Sequence, residues 1–346
     1  MSLSTSSSEL WRRFFRLIAG SAAITAGIVY VFVVLVDPFD TLPLSPPLHR
    51  VPVAGNQRFG YPALARSDRF DSAIFGTSSI RLLKPAVLNP LLSARFANLA
   101  MNDATVYEQA RLLGVFARAH PHPKVVILGL DIRWCVTGPD YDRLTFRAFP
   151  EWMYDDNRWK GYGEMLNLYA IQSAGQLFGV LIGVKAPDQG LDGYTSFVPP
   201  DQTYDPARAL LHLKDATPYV PSGPRPSEPA AMVFPALGPL HAMLSGLPAA
   251  TRKIVLFVPY HVRIQPEPGS VGAAVWSECK RRVLAEVQSI PNGLVVDFMR
   301  STPMTTRDDN YWDSVHYRVG VADQIAHDLV DAIAGKPGDD YVILGP

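Results

Sequence analysis

Apolar residues fall along this chain in three patterns. The first is one unbroken run, residues 17–36 (LIAGSAAITAGIVYVFVVLV), twenty positions without a charge. At about 1.5 Å per helical residue it matches the roughly 30 Å of a bilayer core and predicts a membrane-spanning helix. The second is a series of short apolar runs that predicts five strands, over 72–75, 96–99, 125–130, 254–258 and 294–298. The third is helical spacing between those runs, over 105–119, 271–288 and 319–334, with Thr105 and Glu108 placed as a capping box. Strands alternating with amphipathic helices predict an α/β domain on a parallel sheet.

The alternation breaks over 134–249, too long for one connection and one helix, so this stretch is an insertion after the third strand. It holds one predicted helix, 164–184, then a proline-rich span, 199–229, without periodicity. Gln172, Ser173 and Gln176 interrupt the helix, which favours a core or lid element over a second membrane crossing. Long loops at the carboxyl ends of parallel strands shape substrate sites, which makes the insertion the candidate for recognition.

Charge orients the chain. Arg12, Arg13 and Arg16 precede the apolar run and Asp37 and Asp40 follow it, so residues 1–16 are expected in the cytoplasm and the rest outside. A cleaved secretory signal is the alternative, but its apolar core is shorter and ends on small residues, whereas this run ends on Val33-Val34-Leu35-Val36. Residues 37–66 then read as a proline-rich tether and 67–340 as the folded domain. With 32 Lys+Arg against 32 Asp+Glu, no global field recruits nucleic acid. Cys135 and Cys279, the only cysteines, lack the close spacing of a zinc or redox motif, and a disulfide between them is left open.

Candidate chemistry sits at two strand ends. The first strand runs into Gly76-Thr77-Ser78-Ser79, a turn where a serine can act as nucleophile, its amide near the start of the following helix. After the fifth strand comes Asn310-Tyr311-Trp312-Asp313-Ser314-Val315-His316, which puts an acid three residues before a histidine. An imidazole takes a serine proton while a carboxylate fixes its tautomer. His261 and Tyr260 follow the fourth strand on the same face, and Trp152, Tyr154, Trp159 and Tyr162 open the insertion with rings suited to sugar stacking. The acids Asp308, Asp309 and Asp313 beside His316 read as a solvated loop, so neither metal nor cofactor is expected.

Together these residues resemble the SGNH, or GDSL-like, hydrolase superfamily, over roughly residues 71–334. The amino-terminal helix, Asp37-Pro38-Phe39, the Gly-x-Ser-Ser turn and the Asn-Leu-(small) strand end before Tyr-Glu resemble more narrowly its membrane-anchored members in bacterial envelopes. The resemblance implies a three-layer, flavodoxin-like sandwich. It also implies Ser78 as nucleophile, His316 as base and Asp313 as its orienting acid. In relatives the oxyanion is held by the serine amide, a glycine amide after the second strand and an asparagine after the third. Here Met101-Asn102-Asp103-Ala104 stands where the glycine is expected and Asp131 where the asparagine is; Thr77 replaces the usual aspartate. Ser79, Asn102, Asp103, Asp131 and His261 are therefore the candidate oxyanion and substrate-binding residues.

The expected function is that of an esterase or O-acyltransferase, single-pass in a bacterial inner membrane with its domain in the periplasm, acting on acylated envelope or exported polysaccharide. Two alternatives are a non-catalytic scaffold that binds glycan or envelope assembly proteins, and a lipid-directed esterase.

Overall fold

Five of the predicted runs form the sheet. In the computed structural model, which describes residues 5–138, 143–187, 189–220 and 228–345, β1 (Ser72–Phe75), β2 (Phe96–Asn98), β3 (Val125–Leu130), β4 (Arg252–Phe257) and β5 (Gly293–Asp297) pair in parallel. Their order is β2-β1-β3-β4-β5, and β6 (Val342–Leu344) adds an antiparallel strand beside β5. Every residue of β1, β2 and β3 is buried, as continuous apolar strands of a covered parallel sheet should be. The chain is therefore α/β, with a mixed sheet of six strands. Residues 1–4 of the expected cytoplasmic segment, and 139–142, 188 and 221–227 within the expected insertion, lie outside the described residues.

The described helices are α1 (Thr5–Val36), α2 (Gln57–Arg66), α3 (Pro85–Leu92), α4 (Val106–Ala119), α5 (Gly161–Glu164), α6 (Leu168–Leu181), α7 (Pro206–Leu213), α8 (Leu237–Ser245), α9 (Val271–Gln288), α10 (Pro303–Thr306) and α11 (Val319–Ile333). The capping box of α4 forms as expected. Thr105 Oγ1 accepts the Glu108 amide at 3.2 Å, and Glu108 Oε2 accepts the Thr105 amide at 2.9 Å.

Helix α1 is long and apolar enough to cross a membrane and is almost wholly exposed over its apolar window. Its 32 residues span about 48 Å, more than a bilayer core needs. The last turns of the apolar run join the domain: Val33 and Val36 are buried, Phe32 meets Phe178 of α6 edge-on at 5.5 Å, and Tyr30 Oη donates to the Tyr162 carbonyl at 2.9 Å.

Residues 37–66 differ from the expected tether because they supply core residues and a buried ion pair. Phe39, Leu42, Val53 and Ala54 are buried, and Asp37, in the left-handed region at φ 43°, accepts the amides of Thr41 and Leu42. Arg58 of α2 pairs with Glu108 of α4, both side chains wholly buried, with Nε–Oε1 at 2.8 Å. Such a pair is costly to break from one side, so α2 is fixed against α4. The insertion begins with the Cys135–Cys279 disulfide, which fastens the segment after β3 to α9. The predicted helix 164–184 is realised as α6, shorter at both ends, with α5 just before it, and the aperiodic span contains α7.

One buried carboxylate opposes folding. Asp328 on α11 has an Oδ2 without a hydrogen-bond partner, and burial, then Asp340 and Asp331, push its carboxyl up to about 6. A raised folded-state pKa means stability that is present at low pH and lost as pH rises toward 6. Asp328→Asn is expected to stabilise the protein by about 1 kcal/mol above pH 7, the half-buried site screening part of the shift, and by progressively less toward pH 4. Denaturant midpoints of both proteins across that range give the measurement.

Candidate active site

The turn after β1 is built by two glycines and one isoleucine. Gly76 has φ 142°, and a Cβ there would lie 2.6 Å from Ile80 Cγ2 and 2.9 Å from the Gly129 carbonyl of β3. A Cβ on Gly129 would in turn meet Ile80 at 2.7 Å. Ile80 thus fills the space both glycines leave and locks the turn that carries Ser78. The turn closes with i+3 bonds, Ile80 N to Thr77 O at 3.3 Å and Arg81 N to Ser78 O at 3.2 Å. Because α3 begins only at Pro85, its dipole does not act at Ser78, contrary to expectation. The Ser78 amide has no acceptor among the described residues, the state an oxyanion donor requires.

The turn carrying the histidine is closed by a bridge between Tyr311 and Tyr317, both fully buried. Within it, Asp313 Oδ1 accepts the amides of Val315 and His316 at 2.9 Å, while Asp313 Oδ2 lies 2.8 Å from His316 Nδ1. His316 Nε2 lies 2.8 Å from Ser78 Oγ across a separation of 238 residues. Burial works against the charged form of Asp313, yet His316 and the two amides outweigh it and hold the carboxyl below the usual carboxylate range. Ser78, His316 and Asp313 therefore stand in hydrogen-bond register for proton transfer from serine to imidazole.

The cleft beside Ser78 has a volume of about 610 Å³, and Ser79, Asp103 and Asp131 line it. Ser79 is buried, with Oγ at 3.5 Å from the Tyr260 hydroxyl. Asp103 has φ 55°, the backbone region glycine favours. Its carboxylate pairs with Arg133, linking the turns after β2 and β3. Asn102 is drawn to one side: its Oδ1 accepts Arg81 Nη1 at 3.0 Å and its carbonyl accepts Arg58 Nη1 at 3.2 Å. Asp131 stays at the cleft and bonds the Arg133 amide at 2.9 Å instead of its guanidinium. Burial raises its carboxyl, opposed first by a hydrogen bond from Thr77. Thr77 and Asp131 thus bond each other.

His261 is not brought to the cleft. It is 1% exposed, its Nδ1 accepts the Arg263 amide and its Nε2 lies 3.0 Å from Asp308. Tyr260 lines the cleft in its place. Of the aromatics proposed for stacking, Tyr154 is buried and hydrogen-bonded to the Arg58 carbonyl, and Trp159 is exposed away from the cleft lining. No group of three potential metal ligands occurs among the described residues.

Sequence reasoning missed the residues that brace the histidine. Tyr204 Oη donates to the Tyr311 carbonyl at 2.8 Å, and His212 Nδ1 lies 3.0 Å from the Trp312 carbonyl. Phe197 meets the His316 ring edge-on at 5.0 Å, and Asp201 accepts the Gly320 amide at the start of α11. All four come from the insertion, Asp201, Tyr204 and His212 from its aperiodic span and Phe197 from just before it, and none carries a local signal of its role. A scan of the chain against protein-family models finds no match, and neither does a search of curated proteins.

A fluorophosphonate is expected to form one adduct, on Ser78, read from intact and peptide masses. Ser78→Ala should abolish it and His316→Ala should slow it about 10²- to 10⁴-fold. A second prediction concerns Asp131, whose negative charge opposes an oxyanion where an amide would donate. Asp131→Asn should accelerate labelling about 10²-fold at pH 8. The ratio of variant to wild-type rate should shrink as pH falls, since the raised wild-type carboxyl takes up a proton.

Proposed function

We propose that this protein is a membrane-tethered serine esterase or O-acyltransferase of the SGNH-like class, acting on acylated envelope or exported polysaccharide. The observation that carries the reading is the relay from Asp313 through His316 to Ser78, with both inter-residue distances at 2.8 Å. In the reaction Ser78 Oγ attacks the acyl carbonyl as His316 Nε2 takes its proton, and Asp313 stabilises the imidazolium. The tetrahedral centre collapses, the alcohol leaves with the proton from His316, and the acyl group remains on Ser78. Water or a sugar hydroxyl then gives its proton to His316 and attacks the ester, and the proton returns to Ser78.

Other features support the reading. The strand order β2-β1-β3-β4-β5 is that of a flavodoxin-like sheet, and ligands of such sheets sit at the carboxyl ends of the strands. Val106, Ile132, Val136 and Val315 give the cleft apolar walls around a few polar groups, suited to an acyl chain. Arg12, Arg13 and Arg16 in the opening turns of α1, ahead of its apolar run, acids after it and a disulfide in the domain agree with an extracytoplasmic, periplasmic domain on an inner-membrane anchor.

Asp131 favours a second reading, a non-catalytic scaffold that binds glycan or an assembly partner, because an ionised carboxylate at the cleft disfavours oxyanion formation. The deciding experiment supplies an acetylated oligosaccharide with and without an unacetylated acceptor. Acetate release is the esterase outcome, acetylated acceptor the transferase outcome. Neither product, together with no fluorophosphonate adduct on folded protein, overturns both in favour of the scaffold.

A further inference from the structure

A second cavity, of about 420 Å³, lies where α1 leaves the membrane-spanning run and shares no lining residue with the cleft beside Ser78. Four arginines line it, Arg50, Arg66, Arg69 and Arg158, and Asp40 is the one acidic side chain among the described lining residues. Their hydrogen bonds leave the charge largely uncompensated. Arg66 donates to the carbonyls of Pro62, Met153 and Asp155, Arg158 to those of Thr41 and Leu42, and Arg69 to Ser67 Oγ. Arg50 Nε caps α1 at the Val36 carbonyl, 2.8 Å away, and its Nη1 reaches Asp40 at 3.3 Å. Its side chain is only 4% exposed, yet Nη2 has no partner. Burial first, then the neighbouring Arg158 and Arg118, lower Arg66 to about 10.

A cavity with this lining is a receptor for a compact multivalent anion, since guanidinium forks match phosphate oxygens and carbonyl partners pre-orient them. We propose that it binds a phosphate group, supplied by the headgroup of an anionic lipid in the leaflet next to the domain. The position favours that source: Pro38, Phe39 and Asp40, directly after α1, form part of the wall. Helix α6, which packs along α1, leaves Phe178 exposed, and Ile182 and Val184 just beyond its end are exposed as well, an apolar strip beside the anchor. The inference stands on this cavity alone and does not depend on Ser78 chemistry.

The test uses the full chain in a neutral detergent. Thermal unfolding is followed against short-chain phosphatidylglycerol, short-chain phosphatidylcholine and inorganic phosphate at matched ionic strength. Saturable stabilisation by phosphatidylglycerol is expected, with the apparent Kd raised about tenfold in Arg66→Gln and in Arg69→Gln and less in Arg69→Lys. Arg69 is exposed, and among the described residues its side chain hydrogen-bonds Ser67 and lies over the Phe70 ring, so its variants keep the test valid if Arg66→Gln misfolds. Equal affinity for inorganic phosphate would keep the phosphate site and overturn the lipid source. No saturable effect of either anion, or titrations unchanged in the Arg69 variants, would overturn the site.

Discussion

One carboxylate organises the chemical end of this molecule. Asp313 accepts two amides of its own turn through Oδ1 and faces His316 Nδ1 through both oxygens, so one group shapes the loop and fixes the imidazole's tautomer. The turn is rigid because the Tyr311–Tyr317 bridge closes its base and both rings are buried. The Tyr311 hydroxyl donates to the Pro259 carbonyl at 3.2 Å and the His261 amide to the Ser314 carbonyl at 3.0 Å, which tie the turn to the end of β4. Ser78, locked by Ile80 between two glycines, meets this turn from the other side. His261, expected at the substrate, is thus a support for the loop that carries His316.

What could be read from the sequence follows how strongly each element is patterned. The five parallel strands were legible because both faces are covered and their runs are mostly apolar, the buried polar residues Ser72, Asn98, Lys253 and Asp297 falling at or next to strand ends. Strand β6 was not: it has three residues, is half-exposed and owes its place to pairing with β5. Helix α2 was hidden by Pro62 within it and the prolines before it, and is held by the Arg58–Glu108 pair more than by its own propensity. The serine and the Asp-x-x-His were legible from spacing and family resemblance. Their supports from Phe197, Asp201, Tyr204 and His212 were not, because an aperiodic segment shows no register and its contacts exist only in three dimensions.

The Thr77–Asp131 bond explains how two departures at one site coexist. An aspartate at position 77 would set a second carboxylate against Asp131 at a buried site, where like charges repel strongly. A threonine hydroxyl instead donates to it, and the Arg133 amide supplies another donor. The arrangement is electrostatically consistent as a structural element. Its cost falls on the oxyanion, which is left with the Ser78 amide and the backbone around Asp103 as donors. Under the proposed acyl-transfer chemistry, weak oxyanion stabilisation favours an activated acyl donor over an unactivated ester.

The anchor and the oxyanion region are mechanically continuous. The last turns of α1 are buried in the domain, Arg50 caps the helix and Asp37 folds the chain back through the Thr41 and Leu42 amides. The chain then enters α2, whose Arg58 grips Glu108 and also the Asn102 carbonyl beside the cleft. No flexible hinge separates membrane from site along this path, since residues 37–66 are packed in place of forming a tether. The cleft therefore keeps a set orientation relative to α1.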